Sequence, residues 1–240
     1  MPDNGIAMTR AVLRSALAAL ALLTGGPALA EAPVLVELYT SQGCSTCPPA
    51  DELLRELAGR DDVVALGLHV DYWDYLGWTD PYASPAHTQR QRAYSHAHGE
   101  KMVYTPQMVI DGVVRMPGNR IAAVRRAVAE RHLRHEEAPE LTLSREGGRI
   151  RVVLTPGGAA PGPVDVMVAA YVPQRQTYVE AGENAGHDLT YVNVVSSLVR
   201  VGRWDGASRA ELTVEAPDGP VAVFLQHPRM GEVIGAAKLP

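Results

Sequence analysis

Cys44 and Cys47 are the only cysteines in this 240-residue chain, and they stand two residues apart in Gln42-Gly43-Cys44-Ser45-Thr46-Cys47-Pro48-Pro49. Such a pair can work as a redox dithiol, hold a metal, or staple the chain as an inert disulfide. A thiol at the start of a helix feels the positive end of the dipole and unpaired backbone N–H groups, both of which favour thiolate. The thiolate is the attacking species in disulfide exchange. Cys44, nearer the helix entrance, is the expected nucleophile, and Cys47, one turn later, the resolving thiol. A staple explains the placement poorly, because closing so short a loop constrains the unfolded chain little. A closed zinc site wants four ligands and only two thiols exist, so the metal version is a copper(I) site completed by a histidine, with His69 the best-placed candidate. The bland alternative for His69 is a satisfied histidine at a strand end. His96 and His98 point to different faces of one helix, and with His87, His132 and His135 they read as solvated helix faces.

The elements that must position the pair follow from hydrophobic period. Pro33 to Thr40 is branched and apolar, as a strand is. From Pro49 the period changes: Ala50, Leu53, Leu54, Leu57 and Ala58 fall on one helix face, and Gly59 is placed to end it. Val63 to Val70 is continuously apolar, the pattern of a parallel strand covered on both faces. The two cysteines thus sit at a strand-to-helix junction. A second helix is expected from Ser84-Pro85 to before Gly99, a hairpin around Asp111-Gly112, and a third helix over 119–132. The loop Asp71-Tyr72-Trp73-Asp74 follows a parallel strand at the edge that carries the cysteines, where open α/β sheets bind ligands. It reads either as the lining of a substrate groove, with Asp71 and Asp74 steering basic peptides, or as an aromatic plug at a domain interface.

Beyond Ala138-Pro139 the texture changes to short strands separated by Gly/Pro turns, which suggests an all-β sandwich over 138–240 after an α/β domain over 31–137. Residues 1–30 have the layout of a cleaved secretory signal: Arg10 and Arg14, an apolar run from Ala16 to Leu23, then Ala28-Leu29-Ala30. That run is far short of the ~20 residues a spanning helix needs. The formal charge of −5 becomes −6 without residues 1–30 and is not blocked into runs, so neither nucleic acid nor membrane is expected as partner. Outside the cytoplasm a cysteine pair can persist oxidised.

Strand–CxxC–helix resembles the thioredoxin fold. That resemblance implies a cis-proline facing the cysteines at Pro106, which follows Tyr104-Thr105 and precedes a strand and would present backbone groups beside Thr105 to an extended substrate. It also implies a buried acid in the first strand that relays protons to the resolving cysteine, which falls on Glu37, although the spacing to Cys44 is one residue longer than usual. The tryptophan that usually precedes the first cysteine is replaced by Gly43, and Ser45-Thr46 matches no familiar dipeptide, so the resemblance implies no direction of electron flow. The longer strings Val36 to Asp51, His69 to Trp78, Val103 to Gln107, Glu183-Asn184-Ala185-Gly186 and Tyr191-Val192-Asn193 resemble the secreted bacterial family called domain of unknown function 1223. Together these readings give an α/β thioredoxin-like domain followed by an all-β sandwich. The expected activity is that of an exported thiol–disulfide oxidoreductase, without cofactor, acting on exported protein thiols or disulfides, with a redox partner protein as a further candidate partner. Cys44, Cys47, Pro106 and Glu37 are its expected catalytic residues, and Thr105, Asp71, Tyr72, Trp73 and Asp74 its substrate-binding ones. A copper(I) protein using His69, or a binding module with a structural disulfide, are the alternatives.

Overall fold

Continuous apolar runs make the two strands that anchor the molecule. β1 (Val34–Thr40) and β2 (Val63–His69) are buried along their whole lengths and pair in parallel, from Val34 opposite Val63 to Thr40 opposite His69. The computed structural model describes Met1 and residues 32–135, 137–158, 160–215 and 219–240. The secretory-signal reading therefore lies outside the described residues. No helix among them is long and apolar enough to cross a membrane.

Side-chain alternation along β1 builds two cores. Val34, Val36 and Leu38 face α1 (Pro48–Ala58) and α3 (Ile121–His132), meeting Leu53, Leu54, Leu57, Val124 and Val128. Leu35 and Tyr39 face the other way, into a core with Tyr94 of α2 (Pro85–Ala97). α2 starts where the Ser-Pro signal puts it: the Ser84 hydroxyl accepts from the Ala86 N–H at 3.3 Å, with proline at the first helical position. Ser84→Ala should lower stability by about 1 kcal/mol, the usual worth of an N-cap hydroxyl, read as a shifted urea midpoint at unchanged slope. β3 (Gln107–Ile110) and β4 (Val114–Pro117) form the expected hairpin. Asp111 and Gly112 both have positive φ (45° and 74°), as a type I′ turn requires.

The second half departs from the expectation of a thioredoxin-like domain followed by a separate all-β sandwich. The strands on either side of residue 138 share one mixed sheet, eight strands among the described residues, in the order β11 (Val233–Leu239), β10 (Val221–Gln226), β7 (Val164–Tyr178), β8 (Asp188–Trp204), β2, β1, β3, β4. β7 (Val164–Tyr178) and β8 (Asp188–Trp204) form a long antiparallel arm, and β8 joins β2 in parallel where Val194 meets Gly67. A side chain on Gly67 would bring its Cβ within 3.2 Å of the Val192 carbonyl, so glycine permits the approach. β10 (Val221–Gln226) and β11 (Val233–Leu239) extend the sheet beyond β7.

The sheet curls until its far end lies over its own face. Phe224, Val233 and Ala236 enter the core of Leu35, Leu66 and Tyr94, and the Val233 N–H donates to the Asp111 carbonyl at 2.8 Å. A smaller sheet of β5 (Glu140–Glu146), β6 (Arg149–Thr155) and β9 (Ala210–Glu215) covers the opposite face of β7 and β10, packing Ile150, Val152 and Leu154 on Val166, Val223 and Leu225. A sandwich-like layer therefore exists, but its larger leaf is the shared sheet. Glu31–Pro240 is one compact unit.

Candidate active site

The chain leaves β1 at Thr40 and turns through Ser41 to Thr46 into α1, whose first two residues are Pro48 and Pro49. Cys44 and Cys47 are disulfide-bonded. Both are buried, Cys44 2% and Cys47 0% exposed, while Ser45 and Thr46 between them face solvent. The Thr46 hydroxyl lies 3.5 Å from Cys44 Sγ. The backbone turns tightly here: Cys44 N–H donates to the Ser41 carbonyl and Cys47 N–H to that of Cys44.

Behind Cys47 lies a buried polar cluster. Asp51, four residues on, shares its helix face, and its own N–H donates to the Cys47 carbonyl at 3.1 Å. Burial pushes its carboxyl up to about 7, against opposing pulls from His69 and Thr40 and with the charge of Asp80 adding to the rise. His69 and Asp80 are buried together, Nδ1 to Oδ2 at 2.7 Å. Burial opposes the charge of Asp80, but His69 and the backbone N–H groups of Gln42 and Tyr82 outweigh it and hold the carboxyl below the usual range. Tyr191 of β8 stacks edge-on against His69, with ring centroids 4.6 Å apart. Its phenol is pushed up by burial and by the charges of Asp51 and Asp80. Among the described residues His69 Nε2, Gln42 Nε2 and the Tyr191 hydroxyl have no hydrogen-bond partner.

The Thr105–Pro106 bond is cis, and Pro106 is buried. One aromatic side chain links it to the cysteine turn: Trp73 Nε1–H donates to Thr105 Oγ1 at 2.8 Å, and a Cβ on Gly43 would lie 2.9 Å from that of Trp73. Gly43 thus makes room for a tryptophan arriving from the β2 loop. Tyr72 donates to Gln91, which donates in turn to the Tyr104 carbonyl and to Gln107. The loop carboxylates are tied down locally, Asp71 by the Thr88 hydroxyl and Asp74 by the Asp80 N–H.

Glu37 is not brought to the cysteines. Strand alternation puts it on the sheet face opposite α1, fully buried, with Arg90 Nε on Oε1 at 2.7 Å and Nη2 on Oε2 at 3.2 Å. Tyr94 donates to it at 2.7 Å, and Gln226 of β10 joins through Arg90 and Tyr94. This is a closed ion-pair network joining α2 to the curled end of the sheet. The acid near Cys47 is Asp51 instead, and it was legible in principle: Cys47 and Asp51 are four apart on a predicted helix, an acid beside an apolar stripe.

The other residues missed come from the arm. Asn184, in the loop between β7 and β8, is buried and donates from Nδ2 to the carbonyls of Gln42 (2.8 Å) and Cys44 (3.0 Å). Glu183 Oε2 accepts from the Ser45 hydroxyl at 2.6 Å and the Ser45 N–H at 3.2 Å. Their signal was the compact Glu183-Asn184-Ala185-Gly186 string, which gave no hint of what it touches. His87 is buried, and its Nδ1 meets the His69 carbonyl at 3.0 Å. Among the described residues no three His, Cys, Asp or Glu side chains group as metal ligands.

The model of a family described as protein of unknown function (DUF1223) matches residues 35–226. No curated protein matches the chain significantly. Among solved structures, protein AGR_C_4864 from Agrobacterium tumefaciens is 34% identical over 88% of this chain and 95% of that one, with a TM-score of 0.76. HBP35 of Porphyromonas gingivalis matches over 87% of this chain and 75% of that one with a TM-score of 0.59, and at 14% identity the likeness is one of fold alone.

Proposed function

The chain belongs to the DUF1223 family, and from the chemistry around its disulfide we propose that it is a thiol–disulfide oxidoreductase acting on proteins outside the cytoplasm. The observation that carries this reading is the Cys44–Cys47 disulfide at the entrance of α1 with a buried carboxyl, Asp51, one turn behind Cys47. A staple needs no titratable group there; a dithiol does, because Cys47 must gain and lose a proton in a place closed to water.

In the oxidised protein a thiolate of a substrate dithiol attacks Cys44 Sγ. The Cys44–Cys47 bond breaks, its electron pair leaves on Cys47, and Asp51 supplies the proton that neutralises it. The second substrate thiolate then attacks the substrate sulfur of the mixed disulfide, releasing Cys44 as thiolate beside the Thr46 hydroxyl. The substrate has lost two electrons and the protein has gained them. Run backwards, Cys44 thiolate attacks a substrate disulfide, and Cys47 passes its proton to the Asp51 carboxylate as it closes on Cys44. Trp73, bonded to Thr105 and packed against Gly43, couples the Pro106 turn to the cysteine turn, and on this reading it helps to set where a substrate strand lies.

Equilibration in glutathione buffers, followed by alkylation and mass analysis, tests the reading. Cys44 and Cys47 should pass together through one two-electron transition, and in the reduced protein Cys44 should alkylate first. A pair that stays oxidised across the whole buffer series, or preferential labelling of Cys47, would overturn it.

A further inference from the structure

The β7–β8 arm closes over the cysteine turn by contacts that involve charge. Its tip is held to itself by Gly186 N–H on the Val179 carbonyl and Val179 N–H on that of His187. It is held to the site at three places: Asn184 on the carbonyls of Gln42 and Cys44, Glu183 on Ser45, and Gly182, whose absent Cβ would sit 3.4 Å from that of Trp78. Trp78 Nε1–H in turn donates to Gln42 Oε1 at 2.7 Å. Further back, the Tyr82 hydroxyl meets Thr177 Oγ1 at 2.7 Å. The bonds from Ser45 hold the Glu183 carboxyl below its ordinary range, so it carries its charge at neutral pH.

That charge sits where the chemistry is short of donors. A helix entrance normally offers several free N–H groups to a thiolate, but Pro48 and Pro49 have none and the Ser45 N–H is taken by Glu183. While the cysteines are a neutral disulfide, the carboxylate and Ser45 are undisturbed. Once Cys44 is reduced and ionised, two negative charges flank a single residue.

Building on the oxidoreductase reading above, we propose that Glu183 is a positioning residue that latches the arm over the oxidised site and is pushed off when Cys44 becomes a thiolate. Coupling of this kind is reciprocal: a latched arm disfavours the thiolate by as much as the thiolate disfavours the latch. The arm therefore covers Cys44 in the disulfide form and uncovers it in the thiolate form, while its carboxylate biases the pair towards disulfide.

The test compares the full chain with Glu183→Gln, which keeps the hydrogen-bonding shape and removes the charge. In the reduced proteins, alkylation rate against pH should show the Cys44 pKa lowered by roughly half a unit to one unit in the variant, the effect of one charge a few ångströms away at high effective dielectric. The glutathione equilibrium should move towards dithiol by the corresponding ~3–10-fold. Because Glu183 is exposed, both differences should shrink in 1 M salt. Amide exchange over 179–187 should quicken on reduction in the wild type and lose that redox dependence in Glu183→Gln. Should the variant fold poorly, Ser45→Ala removes the shorter of the two bonds to the carboxylate, keeps the backbone one, and should lower the Cys44 pKa in the same direction by a smaller amount. An unchanged Cys44 pKa and unchanged arm exchange in a folded variant would overturn the latch while leaving the oxidoreductase reading standing. A wild type that does not exchange with glutathione would remove both.

Discussion

Cys47→Ser should convert the protein into a trap that carries covalently attached partners, released by reductant. Cys44 still enters a mixed disulfide, but the thiol that resolves it is gone. A neighbour held in position has an effective molarity that reaches ~10⁵ M in oriented systems, against millimolar external thiol, so release should slow by several orders of magnitude. The substitution is small: Cys47 is buried and its backbone carbonyl, which caps the first turn of α1 through Ala50 and Asp51, is retained. Non-reducing gels of the protein recovered from an oxidising compartment, with mass analysis of the adducts, read the result. The Cys44→Ser, Cys47→Ser double variant should carry none. A metal-delivery protein would trap nothing in either variant, and a stapled binding module would lose only stability, so repeated failure to trap under oxidising conditions would end the oxidoreductase reading.

The local elements around the site were legible because their signals are local. The apolar runs of β1 and β2, the helical stripe of α1, the Ser84-Pro85 start of α2 and the Asp111-Gly112 turn each specify their own geometry, and each forms where expected. Sheet membership is not local. Short strands with Gly/Pro turns look the same whether they pair among themselves or continue a sheet begun a hundred residues earlier, so the shared sheet was not visible. The length of the arm is hidden for a related reason. β7 runs through Pro173-Gln174-Arg175-Gln176 to Tyr178, well beyond the short strands that the Gly/Pro texture suggests. Those residues face solvent, so no alternation of apolar and polar marks the strand, and the proline argued against one.

The site shows the same division. The Cys44–Cys47 pair and the cis bond at Pro106 form as expected because short motifs carry them. Glu37 was misassigned because alternation along β1 fixes which residues share a face but not which face α1 covers, and Arg90, fifty-three residues away, claims the acid on the other one. Asp80, Tyr191, Glu183 and Asn184 join this region only through long-range folding, and no spacing in the chain announces what they touch.

Asp51→Asn should stabilise the protein above neutrality and leave a nearly constant difference below pH 4. The Asp51 carboxyl titrates near 7 in the folded protein and at an ordinary 3.8 unfolded, because burial disfavours its charge. Between those values the folded state holds a proton that the unfolded state has released, so the stability tied to Asp51 is fully present at low pH and is lost as pH rises to about 7. A displacement of some three units corresponds to a loss of about 4 kcal/mol at pH 8 relative to pH 4. Asparagine keeps the shape and cannot ionise, so the variant-minus-wild-type stability should grow across that window and then level. Denaturant unfolding of the oxidised proteins from pH 4 to 8 measures it, and a difference that does not change with pH would show that Asp51 is not the buried acid described. The same substitution separates stability from chemistry. Without an acceptor for the Cys47 proton, closure of the disulfide from the mixed state should slow and lose its pH dependence near 7, while the initial attack by Cys44 stays close to the wild-type rate. A variant more stable but slower in that one step is what a carboxyl kept in an unfavourable place for proton transfer predicts, because a residue retained only for packing would not trade one against the other.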